Sequence, residues 1–274
     1  MPDRSAQNPA QCFLGVLDAP ARLHFDDDTE GWILSIGDAE QSHVDLNDPR
    51  RVFYEYLRRI ANVVDLAGTP GTPLRAIHLG GGAMTLLRYI AATRPGSPQT
   101  VVELARELPD FVMGRLPLPP GSAVEVIIGD AREELPAARA GLAAPADVVV
   151  LDVFRGADAP QHLRDREFYA GVRDLLGPEG ILLVNVGDDP GLQFLAEQAR
   201  MLGRPAGPGS RPLFEDLWCL TEHSMLSGTQ AGNLILVAST RQIPPEWGEA
   251  LRIAGPHPAA VLDRWELEEW LESL

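Results

Sequence analysis

The chain predicts an α/β fold: a mostly parallel sheet covered by helices on both faces, entered through a small N-terminal antiparallel β-domain. Three observations carry this reading. From Arg75 onward, short apolar runs alternate with amphipathic stretches of helical length, the pattern of buried strands joined by crossover helices. The first of those runs, Ala76-Ile77-His78-Leu79, opens straight into Gly80-Gly81-Gly82 and then a helical stretch. Residues 12–46, by contrast, show short apolar runs broken by turn residues.

Composition narrows the function classes. The 274 residues suit one such domain with a smaller appendage, and 45% hydrophobic residues supply an ordinary core. A net charge of −16 disfavours a broad phosphate-binding surface, so no nucleic-acid partner is expected. That charge serves solubility or attracts polycations such as amines, and charge alone leaves both open. Cys12 and Cys219 have no CxxC or Cys/His spacing, which argues against a disulfide scaffold and a zinc site and fits a reducing, cytoplasmic setting. Both read as small apolar fillers. No apolar run approaches ~18 residues, so no membrane span is expected. The first residues, MPDRSAQNPAQ, lack the basic and apolar regions of a signal peptide.

The elements follow in order. Cys12–Leu17, Ala21–Phe25 and Trp32–Ile36 read as strands around acidic turns, and Gln41–Leu46 as another extended piece. Asn47-Asp48-Pro49 reads as a helix start, with Asp48 as N-cap and Pro49 at the first helical position. Phe53, Leu57, Ile60 and Val64 follow at helical spacing. Strands are then expected at 75–80, 100–104, 123–128, 146–151 and 180–186, with helices at 83–93, 106–115, 131–139, 163–176 and 190–203. Residues 214–221 and 232–239 read as a last antiparallel pair. The tail has Trp247, Trp265 and Trp270 among acids, and 258–273 reads as an amphipathic helix covering the core or a subunit contact. The chain thus divides into a β-domain (1–47), an α/β domain (48–243) and a helical tail (244–274).

Four consecutive strands end in groups that could meet a ligand: Gly80-Gly81-Gly82, Glu103, Asp130 and Asp152. Ligands of open parallel sheets sit at the carboxyl ends of strands. Glycines without Cβ let a ligand approach the backbone, the following helix points N–H groups at it, and a strand-terminal acid can accept ribose hydroxyls. Each acid could instead only cap the next helix. Their succession in the right topological place favours a nucleoside site.

These residues resemble the spermidine synthase family of aminopropyltransferases, from about Trp32 to Ser239. The matching pieces are Gln41, the Phe53-Tyr54-Glu55-Tyr56-Leu57 helix start, Leu79-Gly80-Gly81-Gly82 and Val102-Glu103. To these add Gly129-Asp130-Ala131, Val149-Val150-Leu151-Asp152, and Arg166-Glu167-Phe168-Tyr169 followed by Leu175-Leu176-Gly177-Pro178-Glu179-Gly180. The resemblance implies a methyltransferase-like Rossmann-type domain behind the β-domain, and a dimer. It implies aminopropyl transfer from decarboxylated S-adenosylmethionine to a diamine such as putrescine, the chemistry of polyamine biosynthesis. Gly80, Gly81, Gly82, Glu103, Asp130, Ala131 and Gln41 would bind the nucleoside donor, with Glu103 on the ribose and Asp130 on the adenine amino group. Asp152 would be the general base, with Tyr54, Gln41 and Asp158 toward the amine. No metal is needed.

Two departures fall on the amine half. The family continues its glycine turn with Asp-Gly, where this chain has Ala83-Met84, and it places a second Asp three residues after the catalytic one, where this chain has Arg155. Tyr54 could be a packed helix residue, Gln41 could cap an edge strand, and His78 reads as a satisfied core histidine. Asn185 ends a strand and could face the ligand. His43, His162 and His223 show no partner pattern. Two alternatives therefore stand beside aminopropyl transfer: an S-adenosylmethionine-dependent methyltransferase, and a non-catalytic nucleoside-binding member of the fold.

Overall fold

The computed structural model describes residues 9–153, 160–207 and 209–273. Four strands, β1 (Ala10–Leu14), β2 (Ala19–Asp26), β3 (Gly31–Ile36) and β4 (Ala39–Val44), form an antiparallel sheet in sequence order. Its inward residues Leu14, Leu23, Trp32 and Leu34 pack with Ala83, Leu108 and Val112 of the neighbouring layer. That contact seats the small sheet over one end of the large one.

The first helix, α1 (Glu55–Leu66), starts six residues later than the Asp48-Pro49 signal predicts. Asp45 explains the shift. Its carboxylate accepts the N–H groups of Asn47 (2.8 Å) and Asp48 (3.1 Å), and Asp48 in turn accepts that of Arg50. The acids are spent on a turn of the kind Asp side chains favour, and Tyr54 becomes the residue before the helix.

The large sheet has eight strands in the order β12-β10-β11-β9-β8-β5-β6-β7. Five are parallel: β5 (Ala76–Leu79), β6 (Pro98–Glu103), β7 (Ala123–Ile128), β8 (Ala146–Leu151) and β9 (Leu176–Asp188). The helices between them are α2 (Thr85–Thr93), α3 (Glu107–Arg115), α4 (Leu135–Ala140) and α5 (Arg166–Leu175). After α6 (Gln193–Gly203) come β10 (Asp216–Glu222) and β11 (Gly232–Ser239), which pair antiparallel with each other.

The apolar strands sort their side chains by parity. Val149 and Leu151 enter one core layer and Val148 and Val150 the other; in β9, Leu182 and Val184 oppose Ile181 and Leu183 in the same way. Period-two alternation within a continuous apolar run builds a core on each face, which is why the strands read as unbroken hydrophobic stretches.

The tail departs from the helical expectation. Between α7 (Glu246–Ala254) and α8 (Arg264–Ser273) lies β12 (Ala259–Leu262), an antiparallel neighbour of β10. Pro256 and Pro258 lack backbone donors and cannot lie inside a helix, so Ala259-Ala260-Val261-Leu262 extends along the sheet edge. Leu267 and Leu271 then bury into the core, and Trp270 donates its indole N–H to the Leu226 carbonyl at 2.9 Å. No helix among the described residues is long and apolar enough to cross a membrane.

One topological feature positions the site. β6 lies on one side of β5 and β8 on the other, both parallel to it. Strand order therefore reverses at β5, and such a point opens a crevice at the carboxyl ends.

Candidate functional site

A cavity of about 380 Å³ occupies that crevice. Its wall includes Gly80, Gly81 and Gly82, Glu103 after β6, Asp130 and Ala131 after β7, and Asp152 after β8. Gln41 of β4 lines it from the small sheet. Eight of the ten residues expected at the site are thus gathered around one space. Tyr54 does not line it, and Asp158, with Arg155, lies outside the described residues.

The glycine turn is shaped by close backbone approach. Gly80 has φ +97°, and a Cβ there would come within 2.2 Å of the Asp152 carbonyl oxygen. Only glycine meets both conditions. The next residues are tied to the small sheet. Ala83 donates its N–H to Ser42 Oγ at 3.1 Å, and Thr85 donates its hydroxyl to the His43 carbonyl at 3.0 Å. Ala83 is fully buried, so this position packs against β4 and offers the cavity no charge.

Glu103 is 9% exposed. Its Oε2 accepts the Gly81 N–H at 3.0 Å and its Oε1 the Ala105 N–H at 2.9 Å. Burial pushes the carboxyl above its usual range, with the backbone N–H groups working against that rise. Both oxygens are thereby oriented, each with lone pairs left for ligand hydroxyls.

Asp130 is held from two sides. Its Oδ1 accepts the Arg132 N–H at 2.8 Å, and its Oδ2 lies 2.7 Å from His162 Nε2. Burial raises this carboxyl, and the His162 and backbone bonds more than offset it, so it sits below its usual range. His162 belongs to a short turn, Gln161–Leu163, pinned by buried Leu163 and by Arg132, which donates to the His162 carbonyl at 2.8 Å. Pro160 to Leu163 form part of the cavity wall.

Asp152 faces the same space with a different electrostatic character. Burial pushes its carboxyl up to about 6, opposed by a hydrogen bond from Asn185 Nδ2 to Oδ1 at 2.8 Å. Tyr56 lines the cavity, and its hydroxyl donates to the Gln41 carbonyl at 3.3 Å. Burial first, and then the Asp152 charge, raise that phenol well above its ordinary value. Tyr54 stacks on Tyr56 with ring centroids 6.4 Å apart, and its hydroxyl donates to Glu40 Oε2 at 2.8 Å. Tyr54 thus stands behind Tyr56.

Among the described residues, the wall carries three carboxylates, two histidines (His78 and His162) and no arginine or lysine. His78 is buried, bonded to Gln99 at 2.9 Å, and pushed by burial down to about 4, so it is a neutral core group. No group of three His, Cys, Asp or Glu side chains among the described residues could hold a metal ion.

Sequence reading assigns none of Tyr56, Ser42 and His162 to the site, and finds no partner for His162, which the structure pairs with Asp130. Tyr56 lies two residues after Tyr54 and Ser42 directly after Gln41, so both could have been weighed with them. His162 carried no local signal, because its partner lies thirty-two residues away across the fold.

No family model matches the chain. A polyamine aminopropyltransferase of Vibrio vulnificus is 30% identical over 141 residues, which span 50% of this chain and 44% of that protein. The match therefore spans less than half of the curated relative. Among solved structures, a probable spermidine synthase from Corynebacterium glutamicum superposes with a TM-score of 0.79 at 29% identity, covering 92% of this chain and 90% of that one. A spermidine synthase solved with the transition state analogue AdoDATO gives a TM-score of 0.59 at 13% identity over 97% of this chain and 87% of that one. Human methyltransferase-like protein 13, solved with SAH, gives 0.50 at 19% identity over 79% of this chain and 90% of that one. These last two share the fold.

Proposed function

We propose that this chain, a spermidine synthase-like family member, transfers an aminopropyl group from decarboxylated S-adenosylmethionine to a small amine. The observation that carries the reading is the convergence of three carboxylates, Glu103, Asp130 and Asp152, on one cavity wall. The decarboxylated donor brings a sulfonium and an ammonium and no carboxylate. A carboxylated donor would bring a like charge toward Asp152, a repulsion of about 3 kcal/mol at about 5 Å and an effective dielectric constant of about 20.

In this reading Glu103 accepts the ribose hydroxyls and Asp130 the adenine amino group. Gly80 to Gly82 let the nucleoside lie close to the backbone. The acceptor amine is protonated at neutral pH and must lose a proton to attack. Asp152 takes that proton, and its raised pKa brings it nearer the working range of a general base. The amine nitrogen then bonds to the carbon beside the sulfonium as the carbon–sulfur bond breaks. Sulfur leaves as a neutral thioether, and the cavity holds the two reactants in line. Gln41 and Tyr56 line the cavity with Asp152, and a distal ammonium would bind on their side, with Tyr54 and Glu40 behind Tyr56.

Methyl transfer from S-adenosylmethionine is the second reading. Ala83 favours it, because this buried position places no carboxylate that would repel the carboxylate of S-adenosylmethionine. The test is product analysis. Incubation with decarboxylated S-adenosylmethionine and putrescine should yield spermidine and methylthioadenosine by mass spectrometry. Methylated product from S-adenosylmethionine, with no aminopropylated amine from a diamine panel, would replace the first reading by the second.

A further inference from the structure

We infer that Asn185 is the positioning residue of Asp152: its amide fixes one carboxylate oxygen and leaves the other as the proton acceptor. The inference rests on the proposed role of Asp152 and assigns the residue that sets it.

The register brings the two together. Leu151, the last residue of β8, pairs with Val184 of β9, so Asp152 follows beside Asn185, which lies inside β9 three residues before the end of that strand at Asp188. Asn185 interrupts an apolar row, Ile181-Leu182-Leu183-Val184 before it and Val186 after it. It is 6% exposed. Its one side-chain bond among the described residues is Nδ2–H to Asp152 Oδ1 at 2.8 Å, and its own Oδ1 is buried with no partner. A buried acceptor without a partner is costly. An apolar residue would continue the row without that cost, so what the amide contributes is the bond to Asp152. The ionised carboxylate also fixes the sense of the amide, because a carbonyl turned toward it would be repelled.

Two consequences follow for the base. Asp152 Oδ1 is engaged, and Oδ2 has no hydrogen bond from a described residue, so Oδ2 is the oxygen that takes the substrate proton. Donation from Asn185 also favours the ionised form. Burial alone would lift Asp152 further, and the amide limits the rise to about 6. Without the amide, the base would be more fully protonated at neutral pH.

The test reads Asp152 directly. Carboxyl-labelled aspartate, assigned with Asp152→Asn, gives its titration midpoint by NMR in the intact chain and in Asn185→Leu. Loss of a hydrogen bond to a charged group should move the midpoint up by about one pH unit, and the acid limb of kcat should move with it while donor affinity holds. Should Asn185→Leu fail to fold, Asn185→Asp keeps the size and should raise the midpoint through like charge. An unchanged midpoint in a folded variant would overturn the inference, as would a uniform loss of kcat with no shift of the acid limb. Absence of aminopropyl transfer by the unmodified chain would overturn the proposed reaction alone, since the NMR midpoint still decides what Asn185 does.

Discussion

Replacing Asp152 by Asn should stabilise the protein and abolish its turnover together. Burial lifts this carboxyl from 3.8 to about 6, so the folded chain holds the proton more tightly than the unfolded chain. Well below pH 3.8 both states are protonated and the ionisation penalty vanishes. As pH rises, the unfolded chain releases its proton first and the folded state loses relative stability; above about pH 6 the penalty is complete. At about 1.36 kcal/mol per pKa unit, the lift of roughly two units corresponds to about 3 kcal/mol. Asparagine never ionises, and its carbonyl can still accept from Asn185. The variant's advantage in urea denaturation should therefore grow from about 1.6 kcal/mol at pH 5 to about 3 kcal/mol at pH 7.5. Turnover should fall by at least about 100-fold, the usual contribution of a general base. A stability difference that stays flat with pH would refute the burial reasoning, and retained turnover would remove Asp152 from the chemistry.

The remaining predictions concern the turn, the ribose acid and the acceptor side. Gly80→Ala should destabilise the fold by at least about 3 kcal/mol, from backbone strain at positive φ and the clash with the Asp152 carbonyl; equilibrium unfolding measures it, and a loss under about 1 kcal/mol would contradict the turn geometry. Glu103→Ala should weaken methylthioadenosine binding by calorimetry roughly 100-fold, as expected for two lost hydrogen bonds to a charged acceptor. Unchanged affinity would sink the ribose assignment. Tyr56→Phe should raise the KM for the acceptor amine more than Tyr54→Phe does, since Tyr56 lines the cavity and Tyr54 stands behind it. The opposite order in steady-state kinetics would return the acceptor contact to Tyr54.

The parts of the site that sequence reading could see are those whose chemistry is local. Three glycines after an apolar strand, and an acid closing each of the next three strands, carry their meaning in adjacent residues. The strand ends then fall where a parallel sheet must put them. The α1 start was not legible, because Asp45 competes for the backbone N–H groups that an Asp48 cap would need to leave alone. β12 was hidden for another reason: four apolar residues before a helix continue its periodicity, and only the prolines ahead of them argue otherwise. The difference between Tyr54 and Tyr56 depends on where the helix begins, since a residue before the first turn does not yet follow helical spacing. The pairing of His162 with Asp130 needs the whole sheet to form, and no local pattern announces it.

Calorimetric titration of the donors tests the central claim most directly, comparing decarboxylated S-adenosylmethionine, S-adenosylmethionine and methylthioadenosine, followed by putrescine on the donor complex. A cavity walled by Glu103, Asp130 and Asp152 should take the decarboxylated donor more tightly than the carboxylated one, by about 100-fold for the repulsion worked out above. Putrescine should then bind to that complex. Tighter binding of S-adenosylmethionine, with no diamine binding afterwards, would contradict the account and identify the site as that of a methyl donor.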